Sequence, residues 1–473
     1  MGTISSAFSI MSGALNADQE ALNVVANNVA NASTPGYTEE TPDWQENQSI
    51  EINGVSYGQG VTETGATSQR NRVLETQLDQ QQQLAASSSS RLTALDTLQA
   101  LFTPDTGSTS SKAGDIGSDI TSFFDSFSSL EANPTNNSDR QAVLSAAGTL
   151  SADISGAAAS LNSQRSALDQ EASGVTSQVN SLTTSIAQLN QQIQSTSPNA
   201  DAGTLEDQRQ EDISQLSQLV GINQITTEDN GLEITTTSGA LLVSGSTSVQ
   251  MTNGTVNGVT DFFVSNQDIT AQLTTGGGSL GGYLTARDTD IPGALSSLDQ
   301  LAYSISTSVN AQNNAGTDYD GNTGTTAAPL NIFNEPTTVA GSALNMSVVM
   351  TDPNQISAAG AGDGTGDSSN ATALYDLGSK AIVNGQTATN YYSNFVSTLG
   401  STVSGVETEN TAQTAAVTQL QTQYDSLSSV NLNDEASAMS TLERSYQAAS
   451  QVFTMLNTIM NSALNLGVET AVS

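Results

Sequence analysis

The chain has 473 residues, 47 acidic and 10 basic, for a formal charge of −37. A field of that sign repels phosphate backbones and anionic lipid, which argues against nucleic acid and membrane surfaces as partners. The sequence has no Cys and no His, which removes disulfides, thiolate nucleophiles, zinc–sulfur sites and the usual general base.

The chain opens with an amphipathic pattern. Ile4, Phe8, Met11, Leu15, Leu22, Val25 and Val29 follow one another at helical spacing, interrupted once by Asp18, and form a heptad-like stripe. The first basic residue is Arg70 and no apolar run approaches the ~20 residues of a membrane span, so neither a cleaved Sec leader nor an inserted segment is expected. The run Asn31-Ala-Ser-Thr-Pro35-Gly36-Tyr37 ends this helix: Pro35 pushes Thr34 out of helical geometry and Gly36 can take a positive φ.

Long helical patterns follow. Leu74, Leu78, Ala85, Leu92, Leu95 and Phe102 mark one helix, and Ile116, Ile120, Phe123, Phe127 and Leu130 a shorter one that stops at Asn133-Pro134. Ser138 with Gln141 reads as a capping box for a third helix, whose repeat of Leu161, Leu168, Val175, Leu182 and Leu189 runs to about Ser195 before Pro198. At ~1.5 Å per residue that is a rod some 80 Å long. A further helix is expected over 205–220.

The pattern changes at Ile222. Asp229-Asn230-Gly231, Asn253-Gly254 and Asn257-Gly258 read as hairpin turns between short runs such as Leu232–Thr237 and Phe262–Val264. The glycines Gly276–Gly278 and Gly281-Gly282 read as a flexible joint, since no Lys-Ser/Thr follows them to make a phosphate cradle. Helical pattern returns with Ile291, Leu295, Leu298, Ile305 and Val309, then a loop over 313–326, a strand over 344–350 and a helix over 391–427. At the end, Leu432, Met439, Tyr446, Phe453 and Met460 recur every seven residues beside Leu442, Ala449, Leu456 and Ala463, with Gly467 as the expected stop.

The expected architecture is mainly α, a long-helix rod with a small β-rich insertion. Residues 1–45 form the N-terminal heptad helix and turn, 46–221 the first part of the rod, 222–275 the β-rich outer insertion, 276–431 the second part of the rod, and 432–473 the C-terminal heptad helix. Residues 314–350 are available to the β module. The two terminal helices would form an inner coiled coil, with the insertion at the far end.

No residue is assigned to catalysis, a cofactor or a metal, and no enzymatic activity is expected. Lys112 beside Ser108–Ser111 reads as a solvated linker, and Asp318-Tyr-Asp320-Gly-Asn322 and Asp363 with Asp367 as polar turns. The expected functional surface is an assembly interface made by Ile4, Phe8, Met11, Leu15, Leu22, Val25, Val29, Leu432, Met439, Leu442, Tyr446, Phe453, Leu456 and Met460. Burial along one helix pair does not offset the backbone entropy of ordering about seventy residues. The ends are therefore expected to be disordered in a lone molecule and to fold on assembly.

The run from Ala21 to Thr38, with Asn27, Asn28, Asn31, Pro35, Gly36 and Tyr37 at its centre, resembles the N-terminal signature of flagellar rod, hook and hook-associated proteins. Within that group, 72–78, 205–221, 278–287, 344–357, 430–436 and 446–449 are similar to the hook-associated protein 1 family. The resemblance implies an extracellular ring of subunits between hook and filament, touching hook protein on one side and the next hook-associated protein on the other. It also implies unfolded export by the flagellar type III apparatus, with a chaperone on the C-terminal helix. Members often carry larger outer domains than this chain has room for. Alternatives are another axial protein, flagellin-like or hook/rod, and a secreted coiled-coil adhesin; hook and rod proteins enter β structure soon after the turn, against the long helices at 74–195.

Overall fold

In a computed structural model, the structure describes residues 2–52, 55–103, 116–196, 201–227, 230–256 and 258–469. The sequence features at Lys112 with Ser108–Ser111, at Pro198, at Asp229 and at Asn257 lie outside these residues.

Helix α1 (Gly2–Asn31) ends at the predicted turn, where Gly36 takes φ +75°. The chain then enters β structure, which the sequence reading did not anticipate. Strand β1 (Glu40–Glu46) pairs antiparallel with β4 (Val61–Ser68), and between them β2 (Ile50–Ile52) pairs with β3 (Val55–Tyr57). The contrast expected with hook and rod proteins, that this chain would not enter β structure soon after the turn, is therefore not met.

The rod begins with α2 (Arg72–Phe102), α3 (Ile116–Ala132), α4 (Asn137–Thr196) and α5 (Thr204–Leu219). The N-terminus of α4 is capped by Asn136, whose Oδ1 accepts from Ser138 N at 2.9 Å, in place of the expected Ser138 box. With 60 residues, α4 is about 90 Å long. It is the common wall of two cores.

The first core lies on the N-terminal half of α4. Leu144, Leu150, Ile154 and Leu161 pack with α3, with α8 (Ile291–Ala315) and with the start of α10 (Ala388–Ser428). Phe123, Phe127 and Phe333 are fully buried there, their rings at edge-type angles with centroids 5.4 Å apart. Leu330, Ile332, Phe333, Ala343 and Met346 belong to this core, so 314–350 does not join the β module. The predicted strand at 344–350 is a turn and irregular chain with one isolated bridge, Phe333 to Val348.

The second core lies on the C-terminal half. Val175, Val179 and Ile186 pack with α5 and with two small sheets, β5 (Ile222–Thr226) through β8 (Thr247–Ser248), and β9 (Met251–Val256), β10 (Val259–Val264) and β11 (Gln267–Asp268). Asn253-Gly254 stands inside β9 and not at a turn. Because Asn190 donates to Leu232 O and Gly245 O and Asn180 to Met251 O, the β module lies along α4 on the half nearer the chain ends. The expectation that it caps the far end is corrected.

The glycine joint is also corrected. Gly276 closes α6 (Thr270–Gly276), and Gly278 opens α7 (Gly278–Thr285), which continues through a π turn (Ala286–Asp290) into α8. A Cβ on Gly282 would overlap Ser90 Oγ and Ser87 O of α2, and one on Gly281 would lie 2.9 Å from Leu273 O. These glycines let two helices touch. Beyond α9 (Ser369–Asp376) and α10, α11 (Leu432–Glu469) runs through Gly467 without stopping there.

Candidate assembly interface

The two ends of the chain pack on each other. Phe8 and Phe453 meet edge to face with ring centroids 4.9 Å apart, and Asn28 reaches Glu435 at the other end of the pair, so α1 and α11 are antiparallel. The predicted stripe divides on contact. Val25 is buried, and Ile4, Phe8, Met11, Leu15, Leu22, Met439, Leu442, Phe453 and Leu456 are half-buried. Val29, Leu432, Tyr446 and Met460 stay exposed. Asp18, the interruption in the stripe, has its Oδ2 buried with no hydrogen-bond partner among the described residues. A second face of α1 was not expected: Ala17 and Ala21 are almost fully buried, and Ile10 and Gly13 lie against Gly60 and Val61 of the strand ribbon. Small residues carry little hydrophobic signal, which is why the periodicity did not show it.

The signature turn ties this pair to the rod. Asn28 is buried and uses its whole amide: Nδ2 donates to Glu40 O at 2.8 Å and to Glu435 Oε1 at 2.9 Å. Its Oδ1 accepts from Tyr37 OH at 2.8 Å and from Glu40 N at 3.0 Å. Asn31 Nδ2 donates to Asn27 O and Oδ1, and Asn27 Nδ2 to Tyr37 OH at 3.5 Å. Pro35 and Gly36 remain exposed and shape the backbone. Burial, with Glu40, Asp207, Glu435 and Glu39 nearby, raises the Tyr37 phenol well above its usual value, so it stays a donor.

Below the turn is a buried ionic cluster. Arg70 lies between Glu75 at 3.0 Å, Asp207 and Glu206, and Arg72 also binds Glu206 at 3.0 Å. Tyr424 of α10 donates to Glu75 Oε1 at 3.3 Å and lies 3.3 Å from Thr38 Oγ1, whose own amide donates to Asp207 Oδ2. Burial raises the Glu75 and Asp207 carboxyls despite Arg70, and it raises Glu435 despite the Asn28 amide. Burial also opposes the charge on Arg70, but Glu75, Asp207 and Glu206 together hold its pKa above the usual value. Asp79, one turn on from Glu75, accepts from Gln210 and Gln224 through Oδ2, and its Oδ1 has no partner among the described residues; burial pushes it up to about 7. None of Arg70, Glu75, Asp79, Glu206, Asp207, Tyr424 or Glu435 was singled out from the sequence. A signal was there: Glu75, Asp79 and Gln83 recur every four residues beside the Leu74/Leu78 stripe, a polar ladder on a buried face.

Three chain crossings meet at the same place. Glu39 N donates to Ser428 O at 2.9 Å, Gln69 N to Glu39 O at 2.8 Å, and Ser428 Oγ to Gln69 O at 2.8 Å. Elsewhere the acidic turns serve their own loops: Asp318 Oδ1 accepts from Asp320 N and Asn322 N, and Asp367 Oδ2 from Gly360 N and Ser369 N.

The sequence and the fold have counterparts among known proteins. Residues 106–327 match the family model for the flagellar hook-associated protein FlgK helical domain, and 9–38 that for the flagella basal body rod protein. The chain is 25% identical to flagellar hook-associated protein 1 of Escherichia coli K12, covering 96% of this chain and 98% of that one. It is 26% identical to the protein of that name from Salmonella typhimurium LT2, over the same shares. The Bacillus subtilis 168 protein of that name is 25% identical over 96% of each chain. The alignment with the Escherichia coli protein spans 550 positions, more than this chain's 473 residues, so that relative carries segments missing here. In fold, the chain matches the flagellar hook junction protein FlgK from Burkholderia pseudomallei with a TM-score of 0.64 at 19% identity, covering 74% of this chain and 99% of that one.

Proposed function

We propose that the chain is a structural component of the flagellum at the hook–filament junction, a member of the hook-associated protein 1 family it resembles over 96% of its length, and that it works there by assembling through its two ends. The observation that carries this reading is the antiparallel α1–α11 pair, joined to the rod through Asn28, Tyr37 and the Arg70 cluster and covered on only part of its surface. Copies in a ring would cover the rest, with hook protein below and the next hook-associated protein above. The subunit is exported in an unfolded state by the flagellar type III route, a chaperone holding the apolar side of α11 until α1 is free to take it. Its role is mechanical and needs no catalytic residue: a fixed angle between rod and end pair sets the mismatch that one tube must absorb to continue as another. The test is Phe453→Asp or Leu15→Asp in cells. Either variant should be secreted with its rod folded yet missing from the junction, leaving bare hooks under the electron microscope. Normal junctions built from either variant would sink the proposal.

A further inference from the structure

Among the described residues, two apolar surfaces near the end pair are left uncovered. The first is the hairpin β2–β3: Ile50 and Tyr57 are cross-strand partners and Val55 is two residues from Tyr57, so all three point to one face. They are 43%, 50% and 52% exposed. A lone two-stranded hairpin in water is marginal without a layer against its apolar face. The second surface is on α11. At ~100° per residue, Arg444, Val452, Met455 and Ile459 share an arc of roughly 80°, turned away from the Leu442/Phe453 row that meets α1. Met455 is 60% exposed and Ile459 53%.

Charge selects what can meet what. The ribbon from Glu40 to Ser68 has five acidic residues and no basic one. In a chain of charge −37, almost any surface of another copy would repel it. Residues 445–468 carry no charge at all, and among the described residues Arg444 at their edge bonds Ser440 of its own helix. An acidic ribbon with an apolar tip can land there.

Building on the reading of this chain as an axial subunit, we propose that the β2–β3 hairpin of one copy packs on the outward α11 stripe of a second copy, with that copy's Arg444 facing the ribbon's carboxylates. The contact is head to tail, so each copy gives a hairpin and receives one, as a ring requires. Three side chains a side fall short of the ~1,200 Å² of a stable two-body interface. The contact therefore belongs to assembled flagella and not to free chains.

The absence of native Cys gives a clean test. Cells co-express full-length Val55→Cys and Met455→Cys chains, and their isolated flagella are oxidised. The expected result is a shift to a covalent dimer of twice 48.6 kDa that forms only when both variants are present. No dimer although both variants incorporate, or dimers from one variant alone, would overturn the hairpin contact. Loss of the unsubstituted chain from the junction would instead remove the functional reading beneath it. If either variant fails to incorporate, Tyr57→Cys with Ile459→Cys tests the same contact under the same criteria.

Discussion

The distal core and the end pair solve the same problem by different means. In the distal core, Phe123, Phe127, Ile116 and Leu298 have no exposed surface, and every helix there is covered on its apolar side by another part of the chain. In the end pair, α1 is covered on two faces, by α11 and by the strand ribbon, while α11 keeps Val452, Met455 and Ile459 in water. One region is finished by folding. The other keeps apolar side chains in water, and its stability in a free chain should be correspondingly local.

The largest effect should come from breaking this contrast at its strong side. Phe123→Ala is expected to lose ~3–5 kcal/mol, because the ring leaves a cavity among buried aromatics. Urea unfolding by circular dichroism should show it. Phe453→Ala should move that transition by less than ~0.5 kcal/mol, but should alter the fluorescence of Trp44, the one tryptophan, in the ribbon that packs on α1. Equal shifts of the main transition by both variants would erase the distinction between the regions.

Next in size is the ionic cluster between them. Arg70→Ala leaves Glu75, Asp207 and Glu206 buried without their shared cation, at an expected cost of ~3 kcal/mol at pH 8. Burial already raises Glu75 and Asp207, and they take up protons more readily once Arg70 is gone, so the loss should shrink at pH 5. A pH-independent loss would mean that Arg70 acts by packing alone.

The smallest effect concerns Asp79. Its carboxyl is pushed from 3.8 up to about 7 by burial, so the folded chain holds a proton the unfolded chain has released. That contribution is complete below about 4 and is lost as pH rises through 7, on the order of a few kcal/mol in total. Asp79→Asn cannot ionise. The stability difference, variant minus wild type, should therefore increase between pH 5 and pH 8 by ~2–3 kcal/mol; a flat difference would show that Asp79 is not held neutral.

Much of this organisation was legible in the sequence. Heptad spacing placed α2, α3, α4, α10 and α11 within a few residues, because long repeats leave little freedom of phase. The ribbon was missed although Ile50-Glu-Ile-Asn-Gly-Val-Ser-Tyr57 alternates around an Asn-Gly pair, because its strands are short and carry Glu and Thr. The strand expected at 344–350 failed because its apolar residues, Met346 and Met350 among them, fill gaps in a helical core without pairing. Of the ionic cluster, only the Glu75, Asp79 and Gln83 ladder is legible in the sequence, and its partners are not. Arg70, Asp207 and Tyr424 are far apart in sequence, and only the fold brings them together.

The knot at Glu39, Gln69 and Ser428 has a geometric consequence. Both covalent passages between rod and end pair, at Gln69 and at Ser428, are hydrogen-bonded to each other and to Glu39 at the start of the ribbon. From that point α11 extends 38 residues, about 57 Å, so a swing of some 10° carries its tip roughly 10 Å. The hydrogen bonds at this knot therefore set where the far end of α11 lies, and a small error of angle there is enlarged along the helix.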